Sequence, residues 1–293
     1  MKKSYLLLSI FLAAALLLGP TAGDVRAQEA DAQEADAPEV GKAEAAVTNK
    51  DDKSGTNPIN FQRDIRIYNE YTWLNTEGDG NQNVTTLEYR TPFASGKWQL
   101  RARLPYSILK ADFNGDGIDD IDDNGLGDVN FRLMTVPAMK GANAFAVALE
   151  VFLNTASEDS LGAGSTSLAP IVFWGHFFQG GWGPWKKGGL FAPGLQYKFS
   201  IDEDDGRDEV EQIIIDINYF VMAENGKSWF FAEPQIVFDQ ENNTEFAIMD
   251  LEFGFMTSRP GQSWYIRPTF TLGSGSDRPT DYGIEIAYKW VGW

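Results

Sequence analysis

The sequence predicts an all-β fold: a closed antiparallel transmembrane β-barrel of about 12 strands. Three observations predict it: many stretches alternate apolar and polar side chains, no long helical pattern follows the N-terminal region, and the C-terminal segment is rich in aromatic residues. A tilted membrane strand needs ~9–11 residues, whereas strands of soluble sandwiches have ~5–6. The alternating stretches are close to the longer figure, so they favour a membrane barrel.

Residues 1–27 are predicted to be a secretory signal peptide. Lys2 and Lys3 precede an apolar run that ends at Leu18, and this run is shorter than the ~20 residues of a membrane-spanning helix. Cleavage after Ala27 fits the small-residue rule, with Gly23 as a second candidate. The chain contains no cysteine, which excludes disulfides, thiolate metal sites and attachment through a lipidated N-terminal cysteine.

Residues 28–58 are predicted to be an acidic disordered linker. They open with the tandem repeat QEADAQEADA and contain almost no large apolar side chain. Such a composition has no apolar face to bury, so a helix is the weaker alternative. Residues 59–293 then form one barrel domain.

The barrel domain contains twelve alternating segments. In one of them Trp98, Leu100 and Leu104 share a face, and Arg101 and Arg103 share the other, as expected for a strand with one apolar side. The segments are roughly 61–73, 83–93, 97–107, 126–136, 143–154, 167–178, 190–200, 211–222, 228–238, 245–256, 263–272 and 282–290. The segments 167–178 and 228–238 alternate poorly, so ten or fourteen strands stay open.

The last segment, YGIEIAYKW, resembles the terminal-strand signal that the barrel-assembly machinery recognises. The residues that carry the resemblance are Gly283, Tyr288 and Trp290. Three residues follow, so either the signal tolerates an extension or Trp293 is the residue that is recognised. The second alternative would turn a glutamate and a lysine toward lipid, which is costly, and we therefore favour Trp290.

The charges predict an orientation. With a periplasmic N-terminus, the loops after odd-numbered segments face outside and carry twenty acidic and three basic residues, whereas the intervening turns carry six basic and one acidic residue. Alternating strand direction explains this segregation. We expect an acidic outer rim beside lipopolysaccharide and no binding of nucleic acid, because the rim would repel phosphate.

The polar faces of the strands are predicted to line the lumen. Representative lumen residues are Arg101, Arg103, Asp216, Asp250, Glu252 and Glu285. Their mixed signs fit two structures, namely ion-pair networks that fill a narrow barrel or opposing charged walls of a water-filled pore. About twelve strands lie between small filled barrels and the ~16–18 strands of wide channels, so we expect a narrow or partly obstructed path.

The stretch DFNGDGIDDIDD, residues 112–123, has the oxygen spacing of an EF-hand calcium loop. The predicted ligands are Asp112, Asn114, Asp116, the carbonyl of Ile118, Asp120 and Asp123, with Gly117 at the sharp turn. Strand and turn sequences flank the loop, so no helix pair is present to act as a sensor. We expect calcium to order the second external loop, with a dissociation constant on the order of 10⁻⁴–10⁻³ M; a merely solvated acidic loop is the alternative.

Two short motifs suggest a family. The residues Leu104-Pro105-Tyr106 on one strand and Gly-Leu-Gly-Asp at 125–128 before the next resemble the phenol-degradation meta-pathway family of outer-membrane proteins, which are described as transporters. The resemblance implies uptake of small aromatic compounds, although none of these residues selects a phenol. A turn between loop and strand explains Gly-Leu-Gly-Asp equally well.

The sequence offers no catalytic residues. The one histidine, His176, lies among aromatics like a membrane-interface residue, and the nearby Ser167 has the opposite parity, so no activated nucleophile is expected. We therefore predict a non-enzymatic channel or transporter for small molecules in the cell outer membrane. The alternatives are a structural or surface-binding barrel with a closed lumen and cation-binding external loops, and a secreted soluble β protein.

Overall fold

The computed structural model describes residues 52–207, 209–273 and 278–292, and these residues form a β-barrel. The strands are β1 (Asp64–Leu74), β2 (Gly80–Phe93), β3 (Trp98–Ala111), β4 (Ile121–Leu126), β5 (Asn130–Lys140), β6 (Asn143–Phe152), β7 (Ser165–Phe178), β8 (Gly188–Glu203), β9 (Glu211–Met222), β10 (Ser228–Asp239), β11 (Thr244–Met256), β12 (Gln262–Gly273) and β13 (Thr280–Val291). A 3-10 turn spans Asp159–Leu161. Within these ranges, no helix is long and apolar enough to span a membrane.

The strands close into an antiparallel ring. Apart from β4 and β5, which do not pair with each other, each strand pairs with its neighbours along the chain, and β1 pairs with β13 from Asp64↔Val291 to Leu74↔Thr280. The short β4 pairs with the C-terminal half of β3, from Tyr106 to Ala111, and β5 pairs with the N-terminal half, from Trp98 to Arg103. The strands β4 and β5 together therefore occupy one place in the ring. The prediction of a closed 12-stranded antiparallel barrel is therefore confirmed.

The Gly-Leu-Gly-Asp motif lies at the break between β4 and β5. A Cβ on Gly125 would come within 2.0 Å of the Ser157 Oγ atom, so glycine permits a close contact with the following outer loop. The Asp128 carboxylate accepts hydrogen bonds from the amides of Thr155 (3.0 Å), Ala156 (3.0 Å) and Ala163 (2.8 Å). In this structure the motif anchors that outer loop over the strand break.

The second external loop is shorter than the predicted 108–125. The ladder between β3 and β4 continues to Ala111↔Ile121. On this extension Lys110 and Asp122 form an ion pair at 3.0 Å. The loop itself is therefore residues 112–120, and the last predicted calcium ligand, Asp123, belongs to β4.

The outside of the barrel is apolar, as the alternation predicts. Leu104 is 44% exposed and Phe255 50% exposed, values typical of a surface that faces lipid. Aromatic pairs lie toward both ends: Trp73 stacks on Tyr282 at 4.5 Å between ring centroids, and Trp264 contacts Tyr288 at 4.4 Å. These features agree with a barrel embedded in the outer membrane.

The two segments that alternate poorly, β7 and β10, have apolar residues on both faces. Phe173 and Phe177 of β7 and Trp229 and Phe231 of β10 are buried in a core inside the barrel. Ile59, which precedes β1, packs into the same core. Part of the lumen is thus filled by apolar side chains, which explains the weak alternation.

The predicted assembly signal lies on the closing strand, where Tyr288 stacks edge-on against Trp290 at 4.3 Å and Gly283 pairs with Thr72 of β1. Replacing both aromatics with aspartate should leave the protein degraded or stalled in the periplasm, because the signal for the barrel-assembly machinery is lost. Surface protein after membrane fractionation is the measurement. The same change at Tyr71 and Trp73, an aromatic pair on β1, is the control; equal loss in both variants would contradict a specific signal.

Candidate functional site

The lumen contains a segment of the chain that precedes the first strand. The Gly55 carbonyl accepts hydrogen bonds from Arg66 (2.8 Å) and Arg90 (3.1 Å), and the Ser54 carbonyl accepts one from Lys289 (3.2 Å). We call residues 52–60 the inner segment. The predicted signal peptide, residues 1–27, and most of the predicted linker lie outside the described residues.

The inner segment corrects one boundary of the linker, which was expected to be disordered to residue 58. Ser54 is 0% exposed and Asn57 3% exposed. The reason is that buried arginine and lysine side chains need acceptors, and the backbone carbonyls of this polar segment supply them.

Glu252 fastens the inner segment to the barrel wall. Its carboxylate is completely buried and accepts hydrogen bonds from Thr56 Oγ1 and Trp229 Nε1, both at 2.6 Å. It also pairs with Arg267 (2.5 Å) and with Lys289 (3.4 Å). Glu252, a predicted lumen residue, is therefore the centre of a buried network and does not line a water-filled pore with a free carboxylate.

A second network surrounds Glu88, which is also completely buried. Its carboxylate pairs with Arg66 (3.0 Å), Arg90 (2.6 Å) and Arg103 (2.5 Å). On the same wall Arg101 pairs with Glu150. These contacts are the ion-pair networks that fill a narrow barrel, one of the two alternatives left open by the sequence.

An internal cavity of about 330 Å³ remains beside the networks. Thr56 and Pro58 of the inner segment form part of its lining. Five of the predicted lumen residues also line it: Arg101, Arg103, Asp216, Asp250 and Glu285. The lumen therefore combines a filled region with an open polar chamber.

Two rows of like charges lie on the wall of this chamber, among lining residues of both signs. Arg90, Arg101 and Arg132 lie directly across from one another on β2, β3 and β5, and we call them the arginine row. Glu233 of β10 lies directly across from Asp250 of β11.

Asp216 lies on the neighbouring strand β9, across from Gln235, two residues beyond Glu233. We call Asp216, Glu233 and Asp250 the acidic row. Glu233 was not among the predicted lumen residues, because Trp229 and Phe231, which have the same parity, make that face of the strand apolar in the sequence. The parity of Glu233 itself was the available signal.

The predicted calcium loop folds around Asp112, which is 4% exposed. Its carboxylate accepts the amides of Asn114 (3.2 Å), Gly115 (2.7 Å) and Gly117 (2.8 Å). Burial opposes ionisation, but these hydrogen bonds lower the pKa of Asp112 below its ordinary value. Gly117 has a φ of 82°, as the sharp turn requires.

The other predicted calcium ligands point to local partners. Asp116 accepts the amide of Ile118 (2.8 Å), Asp120 accepts that of Phe113 (2.8 Å), and Asp123 accepts the Ser160 hydroxyl (2.6 Å). Among the described residues, no group of three or more acidic, histidine or cysteine side chains is arranged to hold a metal ion. Calcium binding by this loop stays a prediction.

His176 and Ser167 are far from forming a catalytic pair. His176 Nδ1 lies 3.0 Å from Asn143 Oδ1, and its ring stacks near Trp174. Ser167 is 1% exposed and its hydroxyl lies 3.4 Å from that of Ser165. The structure does not bring the two residues together.

Comparisons with known proteins support the fold. No protein-family model matches the chain, and no curated protein matches it by sequence. An outer membrane channel from Pseudomonas putida F1 is similar in structure, with a TM-score of 0.63 and 11% identity over 78% of this chain and 95% of that one. The NanC porin gives a TM-score of 0.49 and 11% identity over 79% and 98%. At this identity the likeness to the first protein concerns the fold, that of an outer-membrane β-barrel.

Proposed function

We propose that the protein is an outer-membrane channel or transporter for small molecules. The observation that carries this proposal is the polar cavity of about 330 Å³ inside a closed barrel whose outer surface is apolar. Mobile solutes need such a polar interior, whereas a purely structural barrel could be filled by side chains throughout. The shared fold with an outer membrane channel adds support.

Passage through this lumen requires the inner segment to move. Residues of this segment form part of the cavity lining, and their carbonyls are bound to arginine and lysine side chains of the wall. We infer that the conformation described is a closed state. Planar-bilayer recordings of the purified protein test the proposal: discrete conductance steps support a channel, and a silent bilayer at all voltages contradicts it.

Charge selectivity gives a more specific prediction. Asp250 lines the cavity, so Asp250→Lys should shift the reversal potential in a salt gradient toward anion preference. The matched control is Glu245→Lys on the same strand, where the side chain is exposed and should leave selectivity unchanged. An unchanged reversal potential in the Asp250 variant would remove this residue from the conduction path.

The solute class suggested by the family resemblance is small aromatic compounds. Phe152, Phe173 and Phe231 line one part of the cavity and would provide apolar contacts for a ring. Membership of the phenol-degradation meta-pathway family is part of this proposal. Uptake of aromatic solutes by a deletion strain and its parent is the test, and equal uptake would exclude that class.

A structural or surface-binding barrel is the second candidate, favoured by the inner segment in the lumen. In that case the acidic external loops would bind divalent cations beside lipopolysaccharide. The absence of conductance together with calcium binding would support this function over the first.

Calcium binding is tested on the purified barrel by terbium luminescence. We expect saturable binding with a dissociation constant on the order of 10⁻⁴–10⁻³ M, and its loss in an Asp112→Ala/Asp116→Ala variant. Glu241→Gln in a different external loop is the control. Equal binding by the wild type and the double variant would rule out this site.

A further inference from the structure

The arginine row and the acidic row lie on opposite sides of the barrel. In the ring of twelve positions, β2, β3 and β5 are each six places from β9, β10 and β11 respectively. Residues of both rows line the same cavity. A molecule in this cavity is therefore placed between the arginine row and the acidic row.

Both rows place like charges next to each other. Arg90 and Arg101 are neutralised by Glu88 and Glu150, but the other members are not paired in this way. Like charges directly across a strand pair are destabilising. Arg132, Asp216 and Glu233 nevertheless form no ion pair within 4.0 Å with any described residue. Two buried atoms on these rows, Arg101 Nε and Asp216 Oδ1, also have no hydrogen-bond partner among the described residues.

Other buried charges of the lumen differ from Arg132, Asp216 and Glu233 in this respect. They are neutralised at close range: Glu88, which lines the same cavity, by three arginines and Glu252 by Arg267 and Lys289. Natural proteins retain unpaired buried charges mainly where they serve a function. The unpaired groups in the two rows therefore point to a ligand that supplies the missing charges.

The size and the remaining lining of the cavity limit what that ligand can be. About 330 Å³ is at the lower end of the range for small-molecule sites, which is roughly 300–1,000 Å³. Phe173 and Phe231 lie among the charged lining residues, so a ligand with an apolar or aromatic body would find contacts between its charged ends.

We propose that this cavity binds small zwitterions with an apolar or aromatic body, whose cationic end lies at the acidic row and whose anionic end lies at the arginine row. The inference rests on the proposed function, because it names the solute class of the same lumen. Each end of the ligand would supply the counter-charge that one row lacks, which a ligand with a single charge cannot do.

The test is isothermal titration calorimetry on the purified full barrel with three probes of equal size. The probes are para-(aminomethyl)benzoate, a zwitterion; para-ethylbenzoate, in which a methyl group replaces the ammonium; and para-isopropylbenzylammonium, in which an isopropyl group replaces the carboxylate. We expect the zwitterion to bind about tenfold or more tightly than either other probe, because each loses one charge-assisted contact. Equal affinities, or no binding of the zwitterion, would overturn the proposal.

Variants assign each end of the ligand. Asp216→Asn/Glu233→Gln should lower affinity for the zwitterion and the cation about tenfold and leave the anion unaffected or tighter. Arg132→Gln should instead lower the affinity for the zwitterion and for the anion. Glu241→Gln on an external loop should leave all three affinities unchanged. An equal loss for all three probes in either variant would contradict the assignment.

Two measurements separate this proposal from misfolding of the variants and from the proposed channel function. Heat-modifiable migration on gels verifies that each variant is folded, and Glu233→Gln alone replaces the double variant if that one is unfolded. Selective binding without conductance in bilayers would overturn the channel function but support the site, whereas conductance without zwitterion preference would overturn the site alone.

Discussion

Replacing residues 52–60 by a glycine–serine sequence of equal length is expected to raise single-channel conductance severalfold. The reason is that this inner segment occupies the lumen through its contacts with Arg66, Arg90 and Lys289 and through Ile59 in the internal core. A flexible replacement keeps the chain length but loses the Ile59 and Thr56 side chains, so the segment should leave the lumen for a larger fraction of the time.

The control for this experiment replaces residues 36–44 in the same way. That change has the same length and flexibility but leaves the inner segment unaltered, so its conductance should equal that of the wild type. Planar-bilayer recordings under one salt and voltage condition compare the three proteins. If the segment variant conducts like the wild type, the inner segment does not limit passage.

The barrel itself was predictable because strand patterns are local. The segment predicted at 97–107 is found as Trp98–Ala111, with Leu100 and Leu104 exposed on the outside and Arg101 and Arg103 at the cavity. A period of two places each side chain on a definite face once the strand is identified. The side of the barrel that each side chain faces, and the approximate bounds of each strand, thus follow from neighbouring residues alone.

The partners of the lumen residues could not be predicted in this way. Glu252 has the correct parity for the lumen, but its contacts come from Thr56, Trp229, Arg267 and Lys289, which lie far apart in the sequence. Parity distinguishes inside from outside and carries no information on which strands meet across the lumen. The register of the closed ring is needed for that.

The inner segment was hidden for a related reason. The stretch SGTNP at 54–58 has the composition of a linker, and polar residues of this kind usually stay in solvent. Its burial depends on acceptors that it offers to charged side chains of β1, β2 and β13. Only the folded barrel brings those strands together around it.

Glu252→Ala is expected to destabilise the barrel by about 3–5 kcal/mol, because it leaves buried cations without their main counter-charge. Lys289 is 0% exposed and lies 3.4 Å from the Glu252 carboxylate, and Arg267 is the second cationic partner of Glu252. The hydrogen bonds from Thr56 and Trp229 are lost as well. Urea unfolding in lipid vesicles, followed by tryptophan fluorescence, measures the change in the free energy of unfolding.

Three further variants separate charge from packing. Glu245→Ala on the same strand removes an exposed carboxylate and should change the free energy of unfolding by less than about 0.5 kcal/mol. Glu252→Gln keeps the side-chain volume and should cost less than Glu252→Ala. Adding Lys289→Met to Glu252→Gln should recover stability, because replacing both members of a buried ion pair is often neutral or stabilising. If the double variant is less stable than Glu252→Gln alone, the loss arises from packing and hydrogen bonds around Glu252 and not from an unpaired lysine.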